Sequence, residues 1–170
     1  MHAAPIPVMT RINPSNQRLV DEKADAAEKN YATFTHIAGL IGLADGMGII
    51  ALVATIVMWR IKHNESPYLD DHGREAVNFQ ISVWVLLLVG WAIWGLMVAA
   101  TFGIGVITLP VPVIATVGLF ILRLVAGIKA AMAANRGEFY RYPMCFRFIA
   151  DPDDSKQYAC DAADLPNARA

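Results

Sequence analysis

Lysine and arginine are absent from two long stretches of this chain, residues 30–59 and 75–122. The first stretch holds a single charge, Asp45, and the second a single charge at its edge, Glu75. A bilayer's hydrocarbon core, ~30 Å thick, is crossed by ~20 apolar residues in a helix. The second stretch has length for two such crossings. Its interruption is visible at Gly103 and Gly105, followed by Leu109-Pro110-Val111-Pro112. Glycine loosens a helix and proline removes a backbone donor. The pattern predicts one span over residues 76–101 and another over 106–134. Pro110 and Pro112 fall at the start of the latter, where proline is tolerated.

The first stretch admits two readings. Its middle, Gly42-Leu43-Ala44-Asp45-Gly46-Met47-Gly48, is a poor helix interior. Either residues 31–59 form one broken span with Asp45 buried, or two short helices, 24–43 and 49–62, meet at a turn over 44–48. Each arm of that hairpin carries about 14 apolar residues, ~21 Å of helix, which is short for a crossing. The charges favour the hairpin. With four segments, the N-terminal tail, the 60–74 loop and the C-terminal tail share one side. That side holds every Lys and Arg except Arg123 and Lys129. Cytoplasmic loops carry the excess of Lys and Arg, so both termini are expected in the cytoplasm. The expected fold class is all-α: a polytopic helical membrane protein of four helical segments in a bacterial inner membrane.

Composition agrees with this and narrows the function. Of 170 residues, 56 % are hydrophobic and 17 % charged, and the net charge is −1; the mean hydropathy is +0.42. A disordered chain is excluded, and no basic excess points to nucleic acid. Residues 1–23 are polar and lack the apolar core of a secretory signal, so they read as a flexible N-terminal tail. Residues 24–149 form the expected membrane domain. Residues 150–170 carry five aspartates and little bulky apolar content, and read as a flexible acidic tail. Cys145 and Cys160 form no metal-ligand pattern. None of the four histidines sits in an HxxxH or HExxH spacing, so no metal and no cofactor is expected. His36 is expected to hydrogen-bond another helix. No Ser/His/Asp set or phosphate-binding glycine loop appears, and the chain does not read as an enzyme.

The most distinctive stretch runs from Lys62 to Gln80, a polar loop entering a membrane helix. Asp70 or Asp71 is placed to cap that helix. Asp71 and Glu75 lie four apart on one face, as do Arg74 and Asn78. Helix capping and an interfacial charge belt account for most of this. Asn78 and Gln80 go further, because polar side chains inside a span face protein or water. Asp71, His72, Arg74, Glu75, Asn78 and Gln80 are therefore candidate interaction or structural residues. At the end of the last span, Asn135, Arg136, Tyr140, Arg141 and Tyr142 join them, with Gly137 as a left-handed helix cap. Asp71, Arg74, Glu75 and Asn78 are expected to form one polar cluster touching the 136–141 segment. Residues 144–149 are too short to span and are placed on the interface. Ala126, Ala130 and Ala134, and Gly42 and Gly46, have the spacing of close helix packing. Trp84, Trp91 and Trp94 form a stripe that suits a lipid-facing or interhelical packing surface better than a pigment or quinone pocket.

Several of these residues carry a family likeness. They are His36 to Gly39, Gly46-Met47-Gly48, Trp59, Glu65-Ser66-Pro67, Asp71 to Gln80, Ala134 to Glu138 and Tyr140 to Pro143. Together, across residues 30–149, they resemble small bacterial membrane proteins of unknown function. Those are distantly similar to the four-helix membrane subunit of the chloroplast inner-envelope import translocon. The resemblance implies a helical membrane fold and supports the hairpin turn; it implies no activity. The expected role is association: an accessory subunit or assembly factor of a larger membrane complex, with lipid bilayer and other membrane-protein subunits as partners. The alternative is a small conduit or translocation component, which needs His36, Asp45, Asn78 and Gln80 along one water-accessible path.

Overall fold

The computed structural model describes residues 10–43 and 48–149. The predicted turn residues 44–47, including Gly46, and the acidic segment 150–170 lie outside them. Among the described residues there are four α-helices: α1, Ala26–Ala38; α2, Ile49–Lys62; α3, Pro67–Ala100; and α4, Pro110–Asn135. Single-turn 3-10 segments follow α1 at Ile41–Leu43 and precede α4 at Ile104–Thr108. Two strands, β1 (Thr10–Asn13) and β2 (Arg18–Asp21), pair antiparallel with Thr10 opposite Asp21.

That hairpin adds a small antiparallel sheet to the otherwise helical fold that was expected, and it lies within the 1–23 segment read as a flexible tail. Its turn is built locally: the Asn13 carboxamide oxygen accepts from the Ser15 amide and hydroxyl, and Gln17 takes a positive φ of 56°. What fixes it is distant. The Phe139 amide donates to the Leu19 carbonyl and the Asp21 amide to the Gly137 carbonyl, each at 2.9 Å. The chain after α4 thus acts as a third strand. A reading of local composition has no view of that partner.

Each helix begins for a legible reason. Asp25 caps α1 in a reciprocal box with Glu28. α3 starts nine residues before the predicted span, at Pro67. Ser66 is its cap, its hydroxyl accepting from the Tyr68 amide, and Pro67 sits where no amide is needed. The predicted cap, Asp70 or Asp71, is therefore wrong: Asp70 lies in the first turn and accepts from Trp59 Nε1 at 2.8 Å. α4 starts on Pro110, four residues after the expected 106, with Pro110 and Pro112 in its first turn as expected, and Gly137 takes φ 77° just past its end.

The two long helices run antiparallel. Tyr68 donates to the Ala134 carbonyl near one end (2.6 Å), and Trp94 donates to Thr108 near the other (3.2 Å). At 1.5 Å per residue they are about 51 and 39 Å long, and both are apolar enough to cross a membrane. In each, the most apolar stretch is only 11 % buried. α1 packs on α3 and α4, and α2 on α3. α1 and α2 are 13 and 14 residues long, about 20 Å each. They end level with Gln80 and Arg123, well short of the far ends of α3 and α4. The beginning of α1, the α2–α3 turn and the end of α4 all share one end of the bundle. Among the described residues, the other end is the α3–α4 pair alone.

Small side chains set the contacts. Ala126, Ala130 and Ala134 are buried on one face of α4; Ala126 and Ala130 pack with Phe79 and Val83, and Ala134 with Tyr68 and Ala32. Gly42 is buried, and a Cβ there would meet the Arg123 guanidinium. The tryptophan stripe splits. Trp91 and Trp94 pair edge to face, their ring centroids 5.6 Å apart, and donate to Thr116 and Thr108 across to α4. They line an apolar groove of about 430 Å³ between the two helices.

Candidate functional site

A polar cluster closes the shared end of the bundle. It begins with Tyr142, whose hydroxyl lies 2.9 Å from His36 Nδ1; His36 Nε2 lies 2.8 Å from His72 Nδ1. This chain of contacts ties α1 to α3 and to the segment after α4. His36 therefore meets another helix, as its sequence context implied. His72 also stacks on Phe139 and meets the Tyr68 ring edge-on.

The acidic residues hold the segment after α4. Asp71 accepts from Arg141 at 2.7 Å. Glu75 accepts from the Tyr142 amide at 3.3 Å and from Arg147 Nε at 3.1 Å, with Arg141 at 3.6 Å. Arg74 pairs with Asp70 at 2.7 Å. Asn78 behaves like a strand edge: its side chain accepts from the Ile149 amide and donates to the Ile149 carbonyl, at 2.9 and 3.0 Å. Ser82, one turn further along α3, accepts from the Phe146 amide at 2.8 Å. Residues 141–149 thus form a strap that runs along α3 from Asp71 to Ser82 and returns to Asn78. A backbone without helical or sheet bonds needs such partners when it leaves water.

Gln80 faces the opposite way. Its Nε2 donates to the Gly39 carbonyl at 3.1 Å, and its Oε1 accepts from Arg123 Nη2. Arg123 is among the largest fully buried side chains. It fills the space between the two ends of the α1–α2 hairpin, against Gly42 and Gly48. Sequence reasoning treated Arg123 only as a topology marker. Its position as a cation deep in an apolar helix, six residues before Lys129, was the available signal.

Glu138 was also missed. Buried beside β2, it accepts from Arg136 Nε and Nη2 at 2.9 and 3.0 Å, from Asn13 at 2.9 Å and from Asn16 at 3.0 Å, with Arg18 at 3.4 Å. Arg136, then Asn16 and Asn13, hold its carboxyl down to about 2 from 4.5, against the opposing effect of burial. A carboxyl depressed on folding stabilises the fold above its unfolded value, and that stabilisation drains as pH falls through the folded value. Thermal unfolding in detergent should therefore lose stability between about pH 4.5 and 2. Glu138→Gln should flatten the profile in that window; an unchanged acid profile would remove this role.

Of the other residues singled out, Tyr140 is buried under the Arg18 guanidinium, 4.9 Å from its ring centroid. Asn135 is exposed at the end of α4, outside the cluster. His36, Asn78 and Gln80 line no common path: each is engaged by a different partner, and Asp45 lies outside the described residues. No group of three metal-binding side chains occurs among the described residues.

Long apolar helices left uncovered, pinned together at one end by buried polar side chains, define a helical membrane protein. Residues 27–149 match the magnetosome magnetite crystal formation protein family, MamF/MmsF, and the chain belongs to that family. No curated protein and no solved structure matches it. The likeness to small bacterial membrane proteins stands in this form, with a described process in place of an unknown one. The comparisons give no support to a likeness with the import translocon.

Proposed function

We propose that this protein serves magnetite crystal formation from within a bacterial inner membrane or a vesicle membrane derived from it, and that it works by association. α3 and α4 cross the bilayer, and the α1–α2 hairpin enters it from the cytoplasmic side and returns. Its partners are lipid and other membrane-protein subunits, for which it is an accessory or assembly component. It performs no catalysis.

Family membership supports the process. One observation supports the mode of action: the buried acids and amides of α3 are engaged by partners within the protein, while the far halves of α3 and α4 present apolar surface. A conduit would need those same polar groups facing water, so the conduit alternative has no support in their geometry. Deleting the gene in a magnetite-forming host, and restoring it on a plasmid, tests the reading. Electron microscopy should show crystals changed in size or number, recovered on complementation. Crystals identical to the parent's would overturn the proposal.

A further inference from the structure

The strap at residues 141–149 has two chemically distinct sides. Toward α3 its backbone is bonded to Ser82 and Asn78. Away from α3, Met144 is 65 % exposed, and Phe146 and Phe148 are each 54 % exposed. These three lie beside Ser82 and Asn78, where α3 is already turning apolar. Three exposed bulky apolar side chains on one short loop are costly in water and favourable among acyl chains.

The charge around the strap is sorted by depth. Asp71, Glu75 and Glu138 are buried, while the guanidiniums that pair with them, Arg18, Arg136, Arg141 and Arg147, stay a third to a half exposed. Four cations face three anions, and the cations are on the outside. A groove of about 330 Å³ with mixed polar and apolar walls opens between Arg18 and Arg141, lined also by Gln17, Leu19, Phe139 and Tyr140.

We propose that this rim is a binding site for anionic phospholipid. Met144, Phe146 and Phe148 enter the acyl layer, Arg18 and Arg141 receive the phosphate-bearing headgroup at the groove, and Arg147, which shares Glu75 with Arg141, adds its charge beside it. The inference rests on the membrane orientation proposed above and adds a lipid class and a site to it. Guanidinium groups match phosphate with paired N–H donors, and aromatic residues beside them hold the depth. Neutral zwitterionic lipid offers the same acyl chains without the net charge, so charge is what distinguishes the two.

Native mass spectrometry of the full-length protein in mild detergent, mixed with phosphatidylglycerol or phosphatidylcholine, tests this. The protein should retain phosphatidylglycerol preferentially, and Arg147→Gln should cut that preference about fivefold. Phe146→Ser with Phe148→Ser should weaken both lipids alike. Equal retention of the two lipids, or a preference untouched by Arg147→Gln, would overturn the proposal. Displacement of the lipid by millimolar inorganic phosphate would also overturn it, by making the site one for the free anion. A preference that arises only after Asp151, Asp153 and Asp154 are changed to Asn would assign the rim to the acidic segment and sink the proposal. If Arg147→Gln fails to fold, salt decides on the unaltered protein: the preference should vanish at about 1 M, where the Debye length is about 3 Å, and its persistence would contradict charge recognition. Crystal formation in the host can fail to change while this lipid preference stands, so the two proposals fall separately.

Discussion

Gln80→Leu should destabilise the folded protein by about 1.5–3 kcal/mol, the range for hydrogen bonds to charged groups. Interhelical hydrogen bonds between neutral groups in membranes average only ~0.6 kcal/mol. The difference arises because Gln80 accepts from the buried guanidinium of Arg123 while its other end holds the Gly39 carbonyl. Leucine removes both bonds and places an alkyl chain against a cation. The loss should appear as a lower midpoint in detergent-monitored thermal unfolding. A double-mutant cycle with Arg123→Leu isolates the pair, because removing both partners leaves no stranded charge. Additive single and double changes would show that the two side chains do not act on each other.

Gly73→Val should cost about 3 kcal/mol, at the upper end for inserting bulk into a packed site. A Cβ at this position in α3 would lie 2.9 Å from Trp59 Cβ and closer still to its indole ring. Trp59 cannot swing away freely, since its Nε1 is committed to Asp70 at 2.8 Å. The hairpin would have to move off α3. Unfolding by heat, followed through tryptophan fluorescence, reads the effect. Stability within about 0.5 kcal/mol of the parent, the range of an ordinary surface change, would mean the α2–α3 contact is looser than the geometry implies.

The membrane helices were legible because their signal is local. Charge-free length, the Gly103–Pro112 break and the prolines at the start of α4 each belong to one segment. The beginning of α3 was misplaced because hydropathy marks where a helix turns apolar, while Ser66 and Pro67 mark where it begins. Those nine extra residues are largely polar, yet all but Pro67 and Asp70 are buried, because the hairpin and the strap cover them. The polar residues of 71–80 were visible as a group, but their partners were not. Asn78 meets Ile149 and Gln80 meets Arg123 across 71 and 43 residues of sequence, and no periodicity encodes such pairings. Glu138 was hidden for the same reason: its importance lies in Asn13 and Asn16, more than 120 positions away. The strands were not foreseen because two four-residue segments carry little apolar pattern, and their stabilising edge comes from the far end of the chain.

The central claim is that α3 and α4 cross the membrane while the α1–α2 hairpin enters and returns without crossing. Single cysteines at Ser66, Phe102 and Ile41, each placed in a chain with Cys145 and Cys160 changed to Ser, test it with a membrane-impermeant thiol reagent. The position at 102 is on the exposed α3–α4 turn, that at 66 is on the α2–α3 turn, and that at 41, just past α1, is exposed on the protein surface. In sealed, oriented membranes, position 102 should label from the non-cytoplasmic face only, position 66 from the cytoplasmic face only, and position 41 from neither. Labelling of 66 and 102 from the same face, or of 41 from the face that labels 102, would contradict the account.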